Sequence, residues 1–368
     1  DQSTIAHELF HHWFGDLVTC ESWSNLPLNE SFANYSQYLW DEHRFGLDEA
    51  DFQAESEADG YYSSAENGGY FNLIRFDYTD KEDMFDGHSY NKGGRILHML
   101  RNYLGDEAFF KGLNLYLTSN KFKAAEVHNL RMAFEEVSGE DLNWFFNQWY
   151  FGSGHPYVRI GQKYLADQQK VLVTIQQTQT QNKLFTLPVG IDVYVNGNRN
   201  HYEVWSKNKV DSFYFPAAVA PDNVNVDNDK ILLWAKDESK PIEQYAYQFK
   251  HARNFMDRFE AANEAETNLK NPAAKAIIEA AIKDTFHVIR SIALNSYNPT
   301  AIDAAMEAQI LQIAGSDKVS TVREDAINVL SKINKPIFTP LYEKWVYDSS
   351  YMVAGAALAG LAQLDTVK

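Results

Sequence analysis

Apolar residues recur at helical spacing through the first 155 positions, alternate with polar ones from Tyr157 to Trp234, and return to helical spacing after Pro241. Near the start, Ile5, Leu9 and His12 share one face, and Ser3 or Thr4 can cap the helix that carries them. Phe32, Tyr35, Ser36 and Leu39 predict a helix over 30–42. Ile96, Leu97, Leu100 and Leu104 predict another over 92–103, which Gly105 ends. Two more are expected over 107–117 and 127–137.

The middle region reads as strands. Val171-Leu-Val-Thr-Ile175, Val189-Gly-Ile-Asp-Val-Tyr-Val195 and Tyr202-Glu-Val-Trp205 are β-rich runs, and Asn196-Gly-Asn198 is a hairpin turn. Beyond Pro241, amphipathic segments over 273–294, 319–333 and 350–364 carry small residues at helix-packing positions, as in Val353-Ala-Gly-Ala-Ala-Leu-Ala-Gly-Leu361. Stacked helical hairpins of the HEAT or armadillo kind produce such a pattern. The expectation is a multidomain, mainly α protein: a helical region over 1–155, a small β-sandwich over 156–238 and a HEAT-like helical domain over 239–368.

Composition narrows the function. With 33 basic and 50 acidic residues, net −17, the chain is a poor partner for nucleic acid or an anionic membrane surface. No apolar run reaches the ~18 residues of a membrane span. The single cysteine, Cys20, excludes an internal disulfide framework.

The chemistry is concentrated in His7-Glu-Leu-Phe-His11. Residues four apart on an α-helix share a face, so His7 and His11 can reach one ion, with Glu8 beside them as general base toward water. Glu30, in Leu28-Asn-Glu-Ser-Phe-Ala33, supplies a third donor from a second helix. Two imidazoles and one carboxylate suit one Zn²⁺ ion and leave a fourth position for water, as hydrolytic rather than structural sites do. An oxyanion formed there needs a further donor, and spacing selects none of the 21 tyrosines.

The run His7-Glu-Leu-Phe-His-His-Trp-Phe-Gly-Asp-Leu-Val-Thr19, with Trp23 and Leu28-Asn-Glu-Ser-Phe-Ala33, resembles the aminopeptidase N family of gluzincin zinc metallopeptidases. In that family a Tyr-x-Lys-Gly motif follows, and Tyr90-Asn-Lys-Gly93 fills it here. The resemblance thus implies Tyr90 as the oxyanion stabiliser. It also implies a thermolysin-like helical catalytic lobe, and peptides with a free amino terminus as substrates. Trp149-Tyr-Phe-Gly-Ser-Gly-His-Pro-Tyr-Val158 is similar to the end of the family's catalytic domain. His12 stands where the family usually has glutamine, and Ser31 where it has glycine; His12 is expected to pack or to support a ligand rather than to be a fourth ligand. The family's Gly-x-Met-Glu-Asn motif, which holds the substrate amine, has no counterpart, so the chain reads as a fragment lacking the amino-terminal domain. Two other readings remain: epoxide hydrolysis at the same zinc, and a non-catalytic, zinc-stabilised scaffold that binds a partner through its helical repeats.

Overall fold

The computed structural model describes residues 2–180, 183–299 and 302–365. The chain divides into two compact units, Asp1–Lys240 and Pro241–Lys368. It is mostly helical, with a small share of sheet.

In the first unit α1 (Gln2–Phe10) and a short strand β1 (Val18–Cys20) lead into α2 (Pro27–Arg44). Pro27 opens α2 where a missing N–H costs nothing, and His43 and Arg44 sit in its last turn against the helix dipole. α2 packs on α1, on α3 (Leu47–Gly68) and on α4 (Gly93–Leu104), so it is the central helix of the unit. α3 lies outside the helices expected from the sequence. Its buried face is Ala50, Ala54, Ala58, Tyr61 and Ala65, a small-residue stripe in an otherwise acidic segment. α5 (Asp106–Asn120), β2 (Lys123–Ala125), α6 (Val127–Ser138) and α7 (Asn143–Trp149) complete the helical part, with β1 and β2 paired in parallel.

Among the described residues seven strands follow: β3 (Tyr157–Leu165), β4 (Lys170–Gln177), β5 (Leu187–Val195), β6 (Asn198–Ser206), β7 (Val210–Pro216), β8 (Asn223–Val226) and β9 (Ala235–Glu238). They form one sheet of order β7-β4-β3-β9 and another of order β6-β5-β8. The expected hairpin joins β5 to β6, with Asn196 and Gly197 at φ 49° and 76° and Val195 opposite Asn198. Val171, Val173 and Ile175 of one sheet, and Leu187, Val189, Ile191 and Val193 of the other, are buried. These residues join the same apolar cluster as Phe32, Phe109, Phe134 and Trp149 of the helices. Strands and helices therefore share one core, each such aromatic contributing about 1.5–3 kcal/mol by burial.

The second unit is a run of helices: α8 (Ile242–Lys250), α9 (Phe255–Thr267), α10 (Pro272–Ala281), α11 (His287–Ser296), α12 (Ala304–Ser316), α13 (Ser320–Ile333), α14 (Thr339–Trp345) and α15 (Tyr351–Asp365). The amphipathic segment 273–294 is divided between α10 and α11. Asp284 causes the break: its carboxylate accepts the N–H of Phe286 at 2.8 Å and pairs with Arg258 at 3.0 Å.

The same device recurs twice. Asp317 accepts Val319 N–H and receives both arms of Arg290 at 2.9 Å; Asp348 accepts Ser350 N–H and receives Arg323 at 3.0 and 3.2 Å. Arg290 and Arg323 also donate to the backbone carbonyls of Asp284 and Asp317. The three arginines are 32 and 33 residues apart, which makes a ladder of repeated rungs. Helices α9, α11, α13 and α15 pack in succession beside it.

Candidate metal centre

α1 ends at Phe10, two residues before the sequence pattern suggests, and Ser3 and Thr4 lie inside it rather than at its cap. The backbone then tightens, with Trp13 N–H bonded to Phe10 O at 3.0 Å, and loosens, with Asp16 N–H bonded to His11 O at 2.9 Å. Gly15 allows this turn, since a Cβ there would lie 2.8 Å from His11 O. Ile5 and Leu9 are 60% and 53% exposed, so the apolar face expected of α1 does not hold it in place. Phe14 does: it is buried and stacked on Phe32 of α2 at 4.1 Å.

That turn also fixes an imidazole. His11 Nδ1 lies 3.1 Å from the carbonyl of Phe14 and donates to it, which leaves the Nε2 lone pair facing inward. His7 meets His11 edge to face, with centroids 5.0 Å apart. Glu30 arrives from the first turn of α2, 8% exposed, and its Oε2 is 3.4 Å from the Nε2 of each histidine. The three side chains offer ligand atoms within 4.8 Å of one another, and among the described residues this is the one His/Cys/Asp/Glu group that does so.

The donor set fits a cation. Glu30 Oε2 is buried without a geometrically sound hydrogen bond, although both imidazoles are close. With Nε2 of His11 presenting a lone pair, oxygen and nitrogen face each other as two acceptors unless a positive charge lies between them. Burial pushes the Glu30 carboxyl up, but the facing imidazoles of His11 and His7 outweigh it and carry it down to about 2. The Glu30 hydrogen bond correspondingly raises His11.

Tyr90 reaches the same point from the π turn His88–Lys92, which runs directly into α4. Its ring stacks on that of His7 at 5.9 Å and 7°. Burial and the charge of Glu30 raise the phenol, which stays a protonated donor. Ser31 explains part of the placement: its hydroxyl donates to Ser89 O at 2.7 Å, and a Cβ on Gly93 would come within 1.8 Å of that hydroxyl. Glycine at 93 and serine at 31 are thus one fitted pair, tying α2 to the Tyr90 turn.

Glu8 is exposed on α1 beside His7, and its charge acts on both His11 and Tyr90. His12 turns outward and pairs with Asp16 at 3.3 Å in an exposed contact; it lies outside the triad, but contrary to expectation it neither packs nor supports a ligand. The Cys20 thiol accepts from Asn29 at 3.7 Å, and burial raises its pKa. The Phe14 carbonyl and the Ser31–Ser89 tie are features that sequence reasoning missed. No residue type announces a backbone carbonyl, and Ser31 registered only as a departure from glycine.

Residues 1–149 match the family described as "Peptidase family M1 domain". The chain is 35% identical over 181 residues to Tricorn protease-interacting factor F2 of Thermoplasma acidophilum, covering 45% of this chain and 22% of that protein. It is 31% identical over 241 residues to probable aminopeptidase 2 of Sulfurisphaera tokodaii (61% and 29%), and 37% identical over 172 residues to aminopeptidase N of Lactococcus lactis (42% and 19%). The matches thus span under a third of these relatives' length. Legionella pneumophila aminopeptidase A, solved in complex with aspartic acid, shares the fold over 99% of this chain and 43% of its own, with a TM-score of 0.67 at 20% identity.

Proposed function

We propose, for a chain that belongs to peptidase family M1 through its residues 1–149, a zinc-dependent aminopeptidase that hydrolyses the first peptide bond of peptides with a free amino terminus. The observation that carries this reading is the buried Glu30 oxygen between two imidazole nitrogens, with Tyr90 stacked at its edge. His7, His11 and Glu30 would hold one zinc ion, which supplies Lewis acidity toward water and the scissile carbonyl.

The chain's own groups do the rest. Glu8 takes the proton of the attacking water and returns it to the leaving amine. Tyr90, kept protonated by burial and by the charge of Glu30, donates a hydrogen bond to the oxygen on which negative charge develops. Phe14 O holds His11 in the ligating tautomer.

By the same reading, residues 1–155 are the thermolysin-like catalytic lobe, 156–238 a β-sandwich and 239–368 a HEAT-like domain. The Arg–Asp ladder and the succession of α9, α11, α13 and α15 support the last of these.

Glu8→Gln is the decisive variant. Zinc content should stay at one ion per chain while hydrolysis of alanine p-nitroanilide falls by about 10²–10⁴. Equal cleavage of amino-blocked and free peptides by the longer parent protein would refute the exopeptidase assignment, and unchanged turnover in Glu8→Gln would refute the mechanism.

A further inference from the structure

The turn that carries Tyr90 is a single π turn, with Lys92 N–H bonded to Gly87 O at 2.9 Å and Gly93 N–H to His88 O. Such a turn is not the resting state of a helix, so contacts outside it must hold it open. The densest of these is at Asp86. Its Oδ1 accepts the N–H groups of His88 and Ser89, both at 3.0 Å. Its Oδ2 accepts from Arg75 at 2.9 Å and from His88 Nδ1 at 3.1 Å.

Both side-chain partners are aimed in turn. His88 is 1% exposed, and its Nε2 accepts the N–H of Phe71 at 3.2 Å. That acceptance makes the imidazole neutral, with its one proton on Nδ1 toward Asp86. Arg75 is 7% exposed, donates also to the carbonyls of Asn72 and Asp83, and lies 5.0 Å over the Phe71 ring. One carboxylate therefore joins a buried cation, a buried imidazole and the two peptide N–H groups that immediately precede Tyr90.

We propose that Asp86 is a positioning residue for Tyr90: its carboxylate, aimed by Arg75 and His88, fixes the peptides at 88 and 89 and thereby holds the phenol over His7. This rests on the reading of Tyr90 as the oxyanion donor. Fixing two consecutive N–H groups sets the backbone torsions just ahead of the Tyr90 Cα, and any tilt there is magnified along the ring. A displacement on the order of 1 Å at a reacting group costs about 100-fold in rate.

The test separates placement from chemistry. The chain is labelled with 3-fluorotyrosine, the Tyr90 ¹⁹F resonance is assigned by its absence in Tyr90→Phe, and zinc is titrated. In the unaltered chain zinc binding shifts that resonance. In Asp86→Asn, which keeps the shape but turns donors toward Arg75 and His88, the shift falls by more than about half, the line broadens, and zinc stoichiometry is unchanged. Hydrolysis of alanine p-nitroanilide loses about 10–100-fold in kcat with KM within about twofold, and Asp86→Asn adds no further loss on a Tyr90→Phe background. Arg75→Lys keeps the charge but not the fork, gives a smaller change of the same kind, and carries the test if Asp86→Asn does not fold.

An unchanged Tyr90 resonance and kcat in both variants overturns the proposal. So does a kcat loss that persists undiminished on the Tyr90→Phe background. A collapsed Tyr90 signal in Asp86→Asn, with normal turnover in Tyr90→Phe, leaves the clamp standing and removes the oxyanion reading instead.

Discussion

The arginine–aspartate ladder of the second unit and the Glu30 site of the first treat buried charge in opposite ways. In the second unit every carboxylate of the ladder is answered: Asp284, Asp317 and Asp348 each receive an arginine and a backbone N–H two residues on. In the first unit Glu30 is just as buried, yet its inner oxygen faces two imidazole nitrogens and has no sound partner of its own. Satisfied polar groups specify and stabilise a fold, whereas an orphan among converging donors marks a place made for a ligand. Sequence separation differs too. Ladder partners are 25–27 residues apart and repeat, while His7, His11, Glu30 and Tyr90 come from unlike elements, and such a group occurs once among the described residues.

If the ladder serves stability, Asp317→Ala should strand the mostly buried Arg290 and cost about 3–5 kcal/mol. Urea unfolding with hydrogen exchange resolved over residues 241–368 reads the loss; a change below about 1 kcal/mol would make the ladder ornamental.

A comparable effect is expected in the first unit away from the triad. His155 is 1% exposed, and burial, with the nearby Lys92 charge, lowers it to about 4. The folded state thus binds fewer protons than the unfolded one between its ordinary value of 6.5 and about 4. Its contribution is full above 6.5 and is lost as pH falls to about 4, in total about 3 kcal/mol. His155→Gln should flatten the urea midpoint across that window, and an unflattened profile would assign the acid sensitivity elsewhere.

Glu30→Gln draws the sharpest contrast with the ladder. At pH 8 the metal-free protein should keep its stability to within about 1 kcal/mol, because an amide can donate where two acceptors met. Zinc affinity should fall by at least on the order of 100-fold. Large destabilisation with retained zinc binding would reverse the assignment of the two units. The smallest effect is at Ser31→Ala, which leaves the buried Ser89 carbonyl without its donor and should cost about 1 kcal/mol in thermal unfolding.

Much of the site could be read from spacing alone. The four-residue interval between His7 and His11 fixes their common side whatever the rest of the chain does, because helix geometry is local. The same holds for the alternation in β4 and β5, the Asn196-Gly197 turn, and α2 and α4 to within a few residues. Tyr90 came only through the resemblance. Helix α3 escaped because alanine at four-residue spacing in an acidic segment carries little apolar signal, although it suffices against the face of α2.

Where α1 stops, which carbonyl orients His11, why the segment over 273–294 breaks at Asp284, and how Asp86 grips the Tyr90 turn were decided in three dimensions. Each depends on a partner from another stretch of chain: Phe32 for Phe14, Arg258 for Asp284, Arg75 for Asp86. Local periodicity states which groups a helix can present. The energy of burying a charge or an N–H depends on who meets it, and only the folded chain supplies that neighbour.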